Sequence, residues 1–205
     1  MEIDFLLEEE SAAVALRVLL PRLLPGCVCR LKPFEGCHDL LGQLPRLLLA
    51  YRRRMAQAGQ ENLRLVVLLD ADTIGPRWLA DLERHAAAAG LLTYAAAPAG
   101  EPFQVLNCLT VEELEAWFLG DEVAVRAAYP ALKPTHFSRV GANPDALPKP
   151  NETLWHILKQ GRYYLSGKAK TEWAATITPH LDPARNASLS FRYFCRGLAA
   201  LRGAI

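Results

Sequence analysis

Alternating strand and helix patterns predict an α/β protein built on a mainly parallel sheet with helices on both faces. Three observations carry this expectation. Leu65-Val66-Val67-Leu68-Leu69 is a continuous apolar run that ends abruptly in Asp70-Ala71-Asp72-Thr73, the pattern of a strand buried on both sides. Asp39 to Met55 carries Leu40, Leu41, Leu44, Leu47, Leu48 and Tyr51 at helical spacing. Short Pro/Gly breaks, such as Pro25-Gly26 and Pro33 to Gly36, separate the segments at the pace of βαβ units.

The elements follow in order. Glu2 to Leu7 reads as a short apolar strand, and Ser11 to Leu24 as a helix with Val14, Leu16, Leu19, Leu20 and Leu23 on its apolar side, closed by Pro25-Gly26. Cys27 to Leu31 is a second strand and Asp39 to Met55 the second helix. Leu63 to Leu69 is the third strand, followed by a helix over Pro76 to Ala89 that opens on a proline and stops at Gly90. Leu91 to Ala96 is expected as a fourth strand, Phe103 to Leu109 as a fifth extended segment, and Val111 to Leu119 as a short helix. From Tyr129 to Pro150 five prolines punctuate a polar stretch, after which helical patterns return at Thr153–Gln160, Ala169–Thr178 and Leu189–Leu201. The expected organisation is a Rossmann-like core over residues 1–128, with residues 129–205 forming a linker and a C-terminal helical extension packed on that core.

Composition excludes little but orders the alternatives. With 51% hydrophobic and 22% charged residues in 205, the chain can bury a sizeable core. No apolar run approaches the ~20 residues that cross a bilayer, so no membrane is expected. The net charge of +1 hides an asymmetry: residues 1–150 hold 15 Lys/Arg against 19 Asp/Glu, and residues 151–205 hold 8 against 3. An acidic front beside a basic tail suits a metal-binding core with an anion-facing flank, and equally a plain surface imbalance. The five cysteines are odd in number and follow no secretion signal, so a reduced, cytoplasmic protein is expected. Cys27, Cys29, Cys37 and His38 invite a zinc reading, but the Cys-x-x-Cys knuckle spacing is missing and free thiols are preferred.

The acids at strand ends are the candidate chemistry. The first strand runs into Glu8-Glu9-Glu10, and the third into Asp70 and Asp72. Singly, the glutamates suit a helix N-terminus and the aspartates suit turn and cap positions before the Pro76 helix. Together they suggest more. In a sheet ordered 2-1-3-4, strands one and three are neighbours and the ligand crevice opens between their C-terminal ends. Glu8 then faces Asp70 and Asp72, and three converging carboxylates call for a cation, Mg²⁺ or Mn²⁺.

A Glu closing strand one and an Asp-x-Asp closing strand three resemble the Toprim domain of topoisomerases, primases and OLD-type nucleases. More closely, the chain resembles the bacterial DUF4276 family, over nearly its whole length. The resemblance rests on the Glu8 strand with Leu19-Leu20-Pro21-Arg22-Leu23-Leu24, and on Pro33-Phe34-Glu35-Gly36 with Asp39-Leu40-Leu41. It continues through Val67-Leu68-Leu69-Asp70-Ala71-Asp72, Glu115-Ala116-Trp117-Phe118-Leu119-Gly120-Asp121, Tyr164 with Lys168, and Ser190-Phe191. Two positions depart from the pattern: Glu9 stands where Toprim strands continue into glycine, and Cys37 where a lysine is expected.

The resemblance implies a Toprim-like nuclease, a metal-dependent nucleic-acid phosphodiesterase in which Asp70 and Asp72 hold Mg²⁺ or Mn²⁺ and Glu8 is general base or acid, or a further ligand. Glu115, Asp121 and Lys168 are secondary candidates, and Arg162 a phosphate contact at most. DNA ahead of RNA, an ATPase of AAA or ABC type in a phage-defence or DNA-processing system, and a homodimer are the partners it implies. Competing readings remain. A non-catalytic subunit of an ATPase would keep the scaffold without the chemistry. A haloacid-dehalogenase-type phosphatase would use Asp70 as nucleophile and Asp72 as acid/base, on the strength of Leu68-Leu69-Asp70-Ala71-Asp72-Thr73, although no later acidic pair completes it. A nucleotide-sugar transferase would explain Asp-x-Asp but not Glu8.

Overall fold

A computed structural model describes residues 1–60, 62–71 and 75–203. Four parallel strands, β1 (Glu2–Leu7), β2 (Val28–Pro33), β3 (Leu63–Asp70) and β4 (Val105–Thr110), form one sheet in the order β2-β1-β3-β4. The helices between them are α1 (Glu10–Leu23), α2 (Cys37–Met55) and α3 (Gly75–Ala88). After β4 come α4 (Glu115–Leu119), α5 (Glu122–Ala128), α6 (Pro150–Gln160), α7 (Lys170–Ile177) and α8 (Leu189–Gly203). This is the expected Rossmann-like α/β arrangement with a C-terminal helical extension. No described helix is long and apolar enough to cross a membrane.

Alternation along each strand sorts the core into two layers. Phe5, Leu7, Val66, Leu68, Leu106 and Cys108 face a layer that holds α1 and the helices after β4. Leu6, Leu65, Val67, Leu69 and Val105 face a layer filled by Leu40, Leu44 and Leu48 of α2 and Leu82 of α3. With α1 on one face and α2 and α3 on the other, the winding reverses between β1 and β3, which places the sheet's switch point there.

The fourth strand is not the one expected. Leu91 to Ala96 contributes only a single bridge, Thr93 to Val105, and the segment starting at Phe103 supplies β4 instead. Thr93 explains the failure: its carbonyl accepts the Ala97 N–H at 2.9 Å and its hydroxyl bonds Glu83, so the chain turns before a ladder can grow. The alanines that follow have little β preference to resist that turn. The helix expected from Val111 is also shorter, because Glu112 takes a left-handed φ of 62° and delays helical pairing until Glu115.

Trp117 ties the extension to the core. It is fully buried, donates Nε1–H to Ser190 Oγ at 3.0 Å, and packs against Phe191 and Phe194, each with centroids 5.0 Å away. The turn at Asn186 to Ser188 presses on the end of α4. Ala187 N–H donates to Gly120 O at 2.8 Å, and a Cβ on Gly120 would meet Asn186 Oδ1 and lie 2.9 Å from Ser188 N. Gly120→Ala is therefore expected to destabilise the fold by ~1–3 kcal/mol through overpacking. Gly42→Ala, on an exposed helical position with open space around it, should stabilise by ~0.5–1 kcal/mol. Chemical denaturation of both variants checks the pair of signs.

Candidate functional site

The C-terminal ends of β1 and β3 are stitched by one side chain. Glu8 N–H donates to Leu68 O at 3.3 Å, continuing the ladder by one residue. Its carboxylate then reaches across the gap, and Oε2 accepts the Asp70 N–H at 2.8 Å. Gly36, left-handed at φ 97° where a side chain is disfavoured, donates its N–H to Glu8 O at 3.0 Å and ties the β2–α2 loop to the same edge. Asp70 is paired with Thr110 in the register of β3 with β4, and its carboxylate accepts the Thr110 hydroxyl. Burial holds the Asp70 carboxyl well above the usual carboxylate range. Glu8, Glu9 and Glu115 push it further, while the Thr110 hydrogen bond works the other way.

Glu115 completes the cluster. As the first residue of α4 it is fully buried, and among the described residues neither carboxylate oxygen has a hydrogen-bond partner. Burial pushes its carboxyl up to about 7, with Lys170 opposing and Glu113 and Glu9 adding to the rise. The Lys170 ammonium stands 3.9 Å from Glu115 and 3.7 Å from Glu9. Burial works against that ammonium, yet Glu115, Glu9, Glu113 and Asp70 together raise its pKa. Glu9, with extended backbone at φ −145°, fits the glycine position without strain and accepts the Ser11 hydroxyl.

The sequence-based candidates therefore divide. Glu8, Asp70 and Glu115 share one edge, and Asp72 lies outside the described residues. Asp121 does not join them. Its carboxylate caps α5 through the Ala124 N–H at 3.1 Å, accepts the Asp182 N–H at 3.0 Å, and holds Arg185 Nε and Nη2 at 2.7 and 2.8 Å. That satisfied geometry makes Asp121 a brace between α5 and the residues before α8. Lys168 sits at the rim, donating to Glu152 at 2.6 Å and to Asn151 at 3.0 Å. Lys170 is the residue that sequence reasoning missed. The Gly167-Lys168-Ala169-Lys170 string offered two lysines, and only the fold tells which one turns inward. None of the five cysteines is in a disulfide, and among the described residues Cys27, Cys29, Cys37 and His38 form no ligand cluster.

The donor set is chemically suited to a hard divalent cation, since it consists of carboxylate oxygens under mutual repulsion, two of them, on Glu115, buried without a hydrogen bond. Among the described residues, no three His, Cys, Asp or Glu side chains are drawn together as a finished metal cluster.

Fold and site thus define a parallel α/β protein with an acidic switch-point edge. A family model described as a domain of unknown function, DUF4276, matches residues 7–199, and the chain belongs to that family. No curated protein and no solved structure matches it.

Two outcomes follow from the site alone. Glu115 titrates near 7 when folded and near 4.5 when unfolded, so its contribution to stability is full below pH 4.5 and is lost as pH rises through 7. Glu115→Gln should flatten the pH dependence of stability in that window and, above pH 7 in EDTA, stabilise by up to ~3 kcal/mol. Denaturation curves at a series of pH values measure it. Asp121→Ala should cost ~1–3 kcal/mol, the half-exposed Arg185 moderating the loss, while leaving cation binding measured by calorimetry unchanged.

Proposed function

We propose that the protein is a divalent-metal-dependent phosphodiesterase acting on nucleic acid, with a Toprim-like use of its sheet edge. The observation that carries this reading is the convergence of Glu8 and Asp70 across the switch point, with the fully buried, unbonded carboxylate of Glu115 electrostatically coupled to Asp70. Like charges assembled without a full set of hydrogen-bond donors are stabilised by a cation. Glu8 and Asp70, with Asp72 from the Asp-x-Asp sequence, would hold Mg²⁺ or Mn²⁺. When bound, such an ion polarises a phosphoryl oxygen and lowers the pKa of water.

The chain's own groups have separable tasks. Thr110 fixes the rotamer of Asp70 by donating its hydroxyl proton. Glu8, whose Oε2 accepts the Asp70 N–H, is the carboxylate assigned to take a proton from the attacking water. Glu115, whose carboxyl is raised by burial, suits the role of acid toward the leaving oxygen. Lys170 adds the positive charge that a phosphate approaching this acidic edge requires.

A second reading, a non-catalytic subunit of an AAA- or ABC-type ATPase in a phage-defence or DNA-processing system, is favoured by one observation. Lys170 already offsets Glu9 and Glu115, which steadies the cluster without a metal.

Cleavage of plasmid and single-stranded DNA with Mg²⁺ or Mn²⁺ separates these readings. Wild type should cut, and Asp70→Ala and Glu8→Ala should each lower the rate by at least ~10²-fold, the usual scale for an acid/base or positioning group. No cleavage with either ion, together with no cation binding by calorimetry, would overturn the nuclease. Hydrolysis of a generic phosphomonoester abolished by Asp70→Asn would instead select the phosphatase.

A further inference from the structure

Away from the acidic edge, one face of α6 and the residues just before it enclose a cleft of about 830 Å³. Its charged lining is lopsided. Arg139, Lys149 and Lys159 contribute cations, His136 and His156 add imidazoles, and Glu152 is the one acid. Glu152 is already matched by Lys168 at 2.6 Å, a contact that holds its carboxyl below the usual range. Lys149 adds a weaker attraction to the same carboxylate, and among the described residues Arg139, Lys149 and Lys159 form no salt bridge. The cleft therefore carries net positive charge.

The donors are also arranged. Lys159 Nζ rests 3.9 Å from the ring centre of Trp155, whose Nε1–H is anchored to Tyr164 O at 2.9 Å, so the ammonium is held by a cation–π contact. His136 accepts the Lys133 N–H at Nδ1, 3.3 Å away, and so carries its proton at Nε2 as a donor. Lys149 to Gln160 spans ~16 Å of helix at ~1.5 Å per residue, several times the footprint of a single phosphate. One end of this row is tied to Glu113, whose charge acts on Glu115. Lys149 lies two residues before Asn151, whose backbone N–H donates to Glu113 Oε2 at 2.8 Å and whose side-chain amide also bonds Glu113.

We propose that this cleft binds the phosphate backbone of a nucleic-acid strand and leads that strand toward the Glu8–Asp70 edge. The inference rests on the phosphodiesterase reading for its partner, since a row of cations beside an acidic, metal-seeking centre matches a polyanion that must touch both. Its size favours successive backbone phosphates over one phosphorylated side chain.

The test is fluorescence anisotropy of a labelled single-stranded 20-mer in EDTA, with cleavage switched off. Arg139→Glu combined with Lys149→Glu should weaken binding at least tenfold at fixed salt. The slope of log affinity against log salt should shrink by ~1.4, from ~0.7 per lost phosphate contact on a single strand. Arg139→Gln with Lys149→Gln should fall between, and Arg84→Glu on α3, which packs in the layer on the other face of the sheet, should bind as wild type. Equal binding by the folded double Glu variant, or tighter binding of a phosphopeptide than of the oligonucleotide, would overturn the cleft. The two readings fail separately. Wild type that binds through the cleft yet never cleaves retains the cleft and removes the nuclease, whereas cleavage unaffected by the double variant does the reverse.

Discussion

Everything at the candidate site depends on β3 being buried on both faces. Leu63 through Leu69 has no water-facing side, and each of its large aliphatic side chains adds ~1.5–3 kcal/mol by burial. A carboxylate inside such a strand would lose its hydration on both sides at a cost of several kcal/mol. The first position where acid is tolerable is the strand's end, and there Asp70 stands. Its backbone N–H, no longer paired with a β1 carbonyl, is taken up by Glu8. The ladder and the carboxylate cluster are thus one construction, in which the last bond of the sheet is made by a candidate catalytic side chain.

The contrast with Asp4 shows what an interior carboxylate requires. Asp4 is fully buried in β1, yet Tyr51 donates to it at 2.6 Å and Lys32 at 2.8 Å, while Arg30 and Arg54 approach to 3.4 Å. Burial opposes the ionised form, but these partners prevail and hold its carboxyl below the ordinary range. No such company exists for Glu115, which has one lysine at 3.9 Å and no hydrogen bond among the described residues. Two carboxylates without exposed surface are thereby shifted in opposite directions, Asp4 by its partners and Glu115 by burial.

Periodicity made the sheet legible because its signal is local: the β3 run and the α2 stripe follow from residues within one element, whereas the 2-1-3-4 order is only an assumption at that level and is supplied by the structure. The Leu91–Ala96 strand was misread for the same reason, since Leu-Leu-Thr-Tyr looks extended until Thr93 folds back on Ala96 and Ala97. Glu8 and Asp70 could be paired from topology alone. Glu115 and Asp121 could not be told apart, as both are acids flanking an apolar pentapeptide. Their difference lies in Arg185 and Lys170, more than fifty residues downstream, one forming a bidentate bond and the other a loose ion pair. Lys168 and Lys170 pose the same problem, because a loop before a helix carries no periodicity to say which side chain turns inward.

The charge asymmetry of the sequence acquires a structural meaning here. The acids of the first half are concentrated where strands end, and the bases of the second half return to them in graded fashion. Lys170 reaches into the cluster, Lys168 bonds Asn151 and Glu152, and Lys159 lines the cleft beyond, where Lys149 of the acidic front segment joins it. A polyanion meeting only the acidic edge would be repelled, and one meeting only the basic cleft would be held without chemistry. Asn151 of α6, bonded directly to Glu113, is the structural link between the two charge signs. The C-terminal extension is therefore more than a cover for the apolar face of the sheet: through Lys170 it brings opposite charge to an edge where the sheet itself supplies carboxylates.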